Sequence, residues 1–169
     1  MMQLERAAIA LGANLGDRKQ ALDDAAKAIA EDVFQSAAIS TIYESNAWPD
    51  PTQPKFLNCV VVGETDWNPE AILNYALDLE RSFGRRRESK NAPRTLDVDL
   101  LLHGDSRYRS PRLEIPHPRL GDRDFVLFPL AEVAADWSVP GVGSVRALAD
   151  RLRAAPPTGA VPFEGSARS

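Results

Sequence analysis

Asp97 and Asp99, in the run Pro93-Arg94-Thr95-Leu96-Asp97-Val98-Asp99-Leu100, are the side chains whose type and spacing point most directly to chemistry. Alternate residues of a strand share a face, so the two carboxylates point the same way, about 6.6–6.8 Å apart along the strand. Leu96, Val98, Leu100 and Leu102 then take the opposite face and can enter a core. Two acids side by side on an otherwise apolar strand repel each other unless a cation lies between them. A hard cation that prefers oxygen, Mg²⁺ above all, fills that role where phosphates supply its other ligands. Two such ions can bridge phosphates and neutralise charge during a displacement. The bland alternative is an exposed face with two solvated acids. Arg94, three residues before Asp97, weighs against it.

The second signal is basic. Gly84-Arg85-Arg86-Arg87 is followed by Lys90 and Arg94. Guanidinium groups grip phosphate oxygens in a bidentate way and stabilise the charge that develops in phosphoryl transfer. Alone, such a cluster reads as a solvated loop closing a helix, favoured by the helix dipole. Directly ahead of an Asp-x-Asp strand, a triphosphate cradle is the better account. His117, held between Pro116 and Pro118 with Arg112, Arg119 and Arg123 nearby, adds a candidate phosphate donor. A Gly-x-x-x-x-Gly-Lys-Ser/Thr loop is absent, which excludes a P-loop kinase, and so are the His-Arg-Asp and Asp-Phe-Gly motifs of protein kinases. Gly12 and Gly16 bracket a turn and read as structural.

These residues need elements to hold them. Ala7–Leu11 is a short apolar run that reads as a buried strand, and Asp17 caps a helix with Leu22, Ala25, Ala26, Ile29 and Val33 at helical spacing. Ile39–Ser45 reads as a second strand and Phe56–Thr65 as a third. Between them, Asn46–Lys55 carries Pro49, Pro51 and Pro54 and is a long, stiffened loop. Asn68-Pro69-Glu70 opens a second helix, with Ile72, Ala76, Leu79 and Phe83 as its stripe and Gly84 as its stop. A strand from Thr95 to about His103 follows, then helices through Val126–Ala135 and Ser144–Leu152. Strand, helix, strand, strand, helix, strand is the split βαβ order, which predicts an α+β, ferredoxin-like βαββαβ core with additional C-terminal helices. Residues 1–155 form the expected domain; the Pro-, Gly-, Ala- and Ser-rich remainder, 156–169, is expected to be disordered.

Bulk properties set outer bounds. The 169 residues suit one domain, and a net charge of −4 gives no global bias toward nucleic acid or an anionic membrane. Cys59 is the single cysteine, so no internal disulfide forms. A soluble, cytoplasmic monomer is the expectation.

Taken together, Gly12-Ala13-Asn14-Leu15-Gly16, Phe56-Leu57-Asn58, Arg85 with Arg87, Pro93-Arg94-Thr95-Leu96-Asp97-Val98-Asp99 and Ile115-Pro116-His117-Pro118 resemble the 6-hydroxymethyl-7,8-dihydropterin pyrophosphokinases of folate biosynthesis, from about Ala7 to about Leu152. The resemblance implies transfer of the β,γ-diphosphate of ATP to the pterin hydroxymethyl group, with two Mg²⁺ ions bridging the triphosphate. It implies Asp97 and Asp99 as metal ligands, and Arg85, Arg94 and Asp97 at the reacting groups. Glu80, Arg87, Lys90, Arg94, Leu100, Arg112, His117 and Arg123 match the ATP side. Asn58 matches the amide that reads the pterin, Phe56 and Phe125 the two stacking rings, and Ser45, Asn46 and Trp48 the segment closing over it, with Asp97 also on the pterin side. Asn46–Lys55 and Arg85–Lys90 are expected to close on ATP binding.

The chain departs from the family pattern in places. Lys90-Asn91-Ala92-Pro93-Arg94 stands where many members have Arg-Trp-Gly-Pro-Arg, Leu77 where a glutamine is common, and Phe56 where a tyrosine is common. Two rivals share the element order or the motifs: an RNA-binding module, which would expose aromatics rather than Asp97 and Asp99 on its strands, and a catalytically inactive ATP/pterin scaffold.

Overall fold

Ala7–Leu11, with no polar side chain, forms the centre of β1 (Glu5–Ala13), buried on both faces from Ala7 onward in the computed structural model, which describes residues 3–47, 52–83, 96–155 and 159–163. Asp17 caps α1 (Arg18–Asp32) by accepting the Gln20 N–H at 3.1 Å. β2 (Gln35–Ile39), β3 (Tyr43–Ser45) and β4 (Phe56–Thr65) follow. α2 (Pro69–Ser82) starts as its sequence dictates: Asn68 Oδ1 accepts the Ala71 N–H at 2.9 Å, and Pro69 occupies the first turn, where a missing N–H costs nothing. β5 (Asp97–His103) leads into a hairpin of β6 (Tyr108–Arg109) and β7 (Glu114–Ile115). After a 3₁₀ turn, Leu120–Asp122, come α3 (Asp124–Ala134), the hairpin β8 (Ser138–Val139) and β9 (Gly143–Ser144), α4 (Val145–Ala154) and β10 (Val161–Pro162).

Among the described residues the main sheet runs β10-β3-β4-β1-β5, with β2 also paired to β4, and every pairing is antiparallel. Its two faces bury different residues. Ala7, Ile9 and Leu11 of β1 pack with Leu22, Ile29 and Ile72 under α1 and α2. Ala8 and Ala10 pack with Val60, Leu127 and Leu148 under α3 and α4. The sheet is thus the middle layer of three. Among the described residues no helix is long and apolar enough to cross a membrane.

Three expectations need correction. The single strand Ile39–Ser45 is two, because Glu132 of α3 accepts both the Thr41 N–H and its Oγ1 hydroxyl at 2.9 Å, taking that amide out of the sheet ladder. Leu102 does not share a face with Leu100: Ile9 pairs with Leu100 and Ala8 with Leu102, so Leu101 is an extra, bulged residue and Leu102 turns under α3 and α4. The tail is not wholly unstructured, since Val161 and Pro162 pair with Glu44 and Tyr43 of β3. The proposed helix stop at Gly84 and the strand start at Thr95 lie outside the described residues.

Candidate active site

Strand register builds the floor. Tyr43 pairs with Asn58, Asn58 with Gly12, and Gly12 with Asp97, giving one row across β3, β4, β1 and β5. Ala10 and Val60 pack under α3 and α4, and side chains alternate along a strand, so Gly12 and Asn58, two residues on, face the same side. On β5, Val98 and Leu100 are buried under α1 and α2, which turns Asp97 and Asp99 onto the floor with Asn58. Each strand step is about 4.8 Å, so Asn58 and Asp97 stand roughly 10 Å apart across Gly12.

Gly12 keeps that interval open. A β-carbon there would lie 3.3 Å from Asn58 Oδ1 and 3.4 Å from Phe56 Cδ1, tighter than side chains ordinarily pack. In the sequence Gly12 reads as a structural turn residue. Its place in the site follows only from the pairing register, which the chain's own pattern does not show.

On the β3–β4 side the polar groups are pre-satisfied. Asn58 Nδ2 donates to Ser45 Oγ at 2.9 Å and to the Tyr43 carbonyl at 3.4 Å, which leaves Oδ1 toward Gly12. Ser45 and Asn58 are only 5% and 6% exposed. Phe56 begins β4 beside Ser45, while Phe125 stands in the first turn of α3 with the Arg123 guanidinium 5.7 Å from its ring centre. The Pro-rich segment is anchored at its end: Asn14 Nδ2 donates to the Pro54 carbonyl at 3.2 Å and Arg18 to the Lys55 carbonyl at 2.8 Å.

On the β5 side, charges gather. The His117 N–H donates to the Leu101 carbonyl at 3.0 Å, fixing the Pro116–Pro118 segment beside β5. The Arg119 N–H donates to His117 Nδ1 at 3.2 Å, which places the proton of the neutral ring on Nε2. Burial first, then the Arg123 and Arg119 guanidiniums, push the imidazole down to about 4 against the opposing pull of Asp97. His117 thus feels the charges of Arg123, Asp97 and Arg119 together.

Other candidates sit differently. Glu80 is buried beneath β5, where its Oε2 accepts the Val98 N–H at 2.8 Å and so holds the strand between the two acids from behind. The Leu100 side chain is in the core under α1 and α2, away from the floor. Arg112 bonds Glu70 Oε2 at 3.3 Å and Asn74 Oδ1 at 2.6 Å on α2. Asn46 follows β3 and meets the tail at Gly159. Trp48, Arg85, Arg87, Lys90 and Arg94 lie outside the described residues. A cavity of about 570 Å³, lined by Arg107, Arg109, Val142, Arg151 and His117 itself, contains none of Asp97, Asp99 and Asn58, so it is distinct from the floor.

Two carboxylates with oxygen donors suit a hard divalent cation. Among the described residues no group of three or more His, Cys, Asp or Glu could hold a metal alone. Magnesium is commonly held by one or two carboxylates, with waters and substrate phosphates completing its shell, and Asp97 and Asp99 suit that pattern.

Comparison with known proteins converges on one family. Residues 8–135 match the model of 7,8-dihydro-6-hydroxymethylpterin-pyrophosphokinase. The chain is 40% identical over 145 residues to the 2-amino-4-hydroxy-6-hydroxymethyldihydropteridine pyrophosphokinase of Synechocystis, covering 83% of this chain and 72% of that one. It is 36% identical over 168 residues to the Pseudomonas aeruginosa enzyme of the same name, covering 98% and 97%. Among solved structures, Plasmodium falciparum HPPK-DHPS superposes with a TM-score of 0.65 at 13% identity, over 89% of this chain and 45% of that one, and shows a shared fold. The chain belongs to the 7,8-dihydro-6-hydroxymethylpterin-pyrophosphokinase family and carries out ATP-dependent pyrophosphoryl transfer to hydroxymethyldihydropterin in folate biosynthesis.

Proposed function

We propose that the floor works as two half-sites: Asn58, Ser45, Asn46 and Trp48 with Phe56 and Phe125 hold the pterin, and Asp97 and Asp99 hold the ATP triphosphate through two magnesium ions. The observation that carries this is the register placing Asn58 and Asp97 on one face with only Gly12 between them. The sheet order, with β4 and β1 central and β5 and β3 outside, supports a ferredoxin-like core. The same face packs under α3 and α4, which disfavours an open RNA platform. A cytoplasmic monomer remains the proposed setting.

Asn58 spends both amide protons on Ser45 and Tyr43, so it offers Oδ1 as an acceptor to the N–H edge of a pterin. Phe56 and Phe125 supply apolar faces for the ring. The neutral His117 offers Nε2–H to a phosphate oxygen without adding charge, and Arg123 adds a guanidinium. Arg85, Arg87, Lys90 and Arg94 are assigned to the phosphates from the sequence. Leu100 has only its main chain to offer the nucleotide. Glu80 contributes by fixing β5, and Arg112 reaches ATP only by leaving Glu70 and Asn74.

In the reaction, the hydroxymethyl oxygen forms a bond to the β-phosphorus in line with the bond that breaks, that from the β-phosphorus to the oxygen bridging it to the α-phosphorus. AMP leaves and the hydroxyl proton is lost, with Asp97 as candidate acceptor. Magnesium supplies neutralisation of the triphosphate charge. The chain's own residues supply alignment and the cationic surround. Purified protein supplied with ATP, Mg²⁺ and hydroxymethyl-dihydropterin should release one AMP per diphosphorylated pterin. Equal turnover after Asp97→Asn and Asp99→Asn would overturn the assignment of the acids.

A further inference from the structure

Resting on the pterin half-site just described, we propose that Gly159–Phe163 is a positioning strap for that half-site, with Gly159 and Phe163 as positioning residues. β3 is three residues long and is cut off from β2 by the Glu132-bonded turn at Thr41. A strand so short, left as a sheet edge, has little to hold it. The tail supplies the missing neighbour. Val161 pairs with Glu44 and Pro162 with Tyr43, and the Phe163 N–H donates to the Ile42 carbonyl at 2.9 Å. Proline is tolerated there because the strand is outermost and needs no N–H on its open side. The Phe163 ring packs against the core under α1 and α2, pinning the far end.

What the strap holds matters for the ligand. Both protons of the Asn58 amide are fixed by atoms of β3, Ser45 Oγ and the Tyr43 carbonyl. A shift of β3 would therefore turn Oδ1 away from the Gly12 gap. Gly159 touches the site more directly. Its φ of +99° suits glycine, and a β-carbon would come 2.9 Å from Asn46 Nδ2. The glycine lets the tail pass against Asn46 without displacing it.

The test compares the full chain with a chain ending at Ala155, a chain ending at Phe163, Gly159→Ala, Phe163→Ala and Asn58→Ala, reading kcat, both KM values and thermal melting. Ending at Ala155, and each of Gly159→Ala and Phe163→Ala, should raise the pterin KM, the truncation by about tenfold as one or two positioned hydrogen bonds are lost. The ATP KM should not change, and the chain ending at Phe163 should match the full chain. If Asn58→Ala raises the pterin KM while truncation and Gly159→Ala leave it alone, the strap is wrong and the half-site stands. If Asn58→Ala also leaves it alone, both fall. Should the shortest chain lose cooperative melting, Gly159→Ala decides: a melt like the full chain's with an unchanged pterin KM overturns the proposal.

Discussion

In the proposed assignment, the two halves of the floor meet their ligands by opposite means. Around Ser45 and Asn58 the side chains are neutral, nearly closed to solvent and bonded to one another before any ligand arrives. Around Asp97 and Asp99 they are charged and half-exposed, and the rigidity lies behind them, in the buried Glu80 carboxylate under Val98 and the Leu101 carbonyl under His117. A flat heterocycle is recognised by hydrogen bonds of fixed direction, where an ångström of drift loses the bond. A triphosphate with metal is recognised by charge, which tolerates small displacements but not a change of sign. The β3–β4 half should thus respond to changes of shape, and the β5 half to changes of charge.

The sharpest way to break that contrast is to neutralise an acid without changing its shape. Asp97→Asn and Asp99→Asn should each lower kcat by at least about 10²–10³, the cost of losing one preorganised charge at a reacting group. Melting should change little, because the amide keeps the carboxylate's shape and both positions are half-exposed. A comparable loss in melting temperature would mean that the acids serve the fold instead. Next in size, Glu80→Ala should destabilise the protein by about 1–3 kcal/mol through the orphaned Val98 N–H, measured by urea unfolding. It should also depress kcat by letting β5 move. Glu80→Gln keeps an acceptor there and should recover much of both. An intact kcat in Glu80→Ala would show that the acids need no support from behind.

How much of this was legible in the chain depended on how local each cause was. Asp17 and Asn68 announced their helices because a cap acts within four residues. Asp97 and Asp99 announced a shared face because alternation is intrinsic to a strand. The bond from Glu80 to β5 was not legible, since its partner amide is 18 residues away on another element. The break at Thr41 was hidden for the same reason, its acceptor Glu132 being 91 residues on. The bulge at Leu101 sits inside a run of three leucines, where apolarity gives no hint of which face each residue takes. In the tail, Phe163 was the one large apolar side chain near Val161, too little to suggest a strand that borrows its order from β3.

A smaller perturbation probes shape alone. Gly12→Ala pushes a methyl group to 3.3 Å from Asn58 Oδ1, so the amide or the strand must give by a few tenths of an ångström. The pterin KM should rise roughly five- to tenfold, the low end of the range of about 1–3 kcal/mol for overpacking, and the ATP KM should stay put. Equal rises in both would show that the two half-sites are coupled through β1 rather than separable.

The mildest effect expected is at His117, and it tests the charged half by pH. Its folded-state value, about 4, lies below the ordinary 6.5, with burial as the main cause and Arg123 and Arg119 adding to it. Between those values the unfolded chain takes up a proton that the folded chain refuses, so acid favours unfolding. The stability tied to the neutral imidazole is complete above about pH 6.5, declines as pH falls toward 4, and changes no further below that. His117→Gln, which cannot titrate, should flatten that part of the stability–pH curve in the ligand-free protein. The ring's proton resonances should show a midpoint near 4. A midpoint near 6.5 would mean that the imidazole reaches water and carries charge into the site at mildly acid pH, and the neutral Nε2–H donor assigned to it would have to be given up.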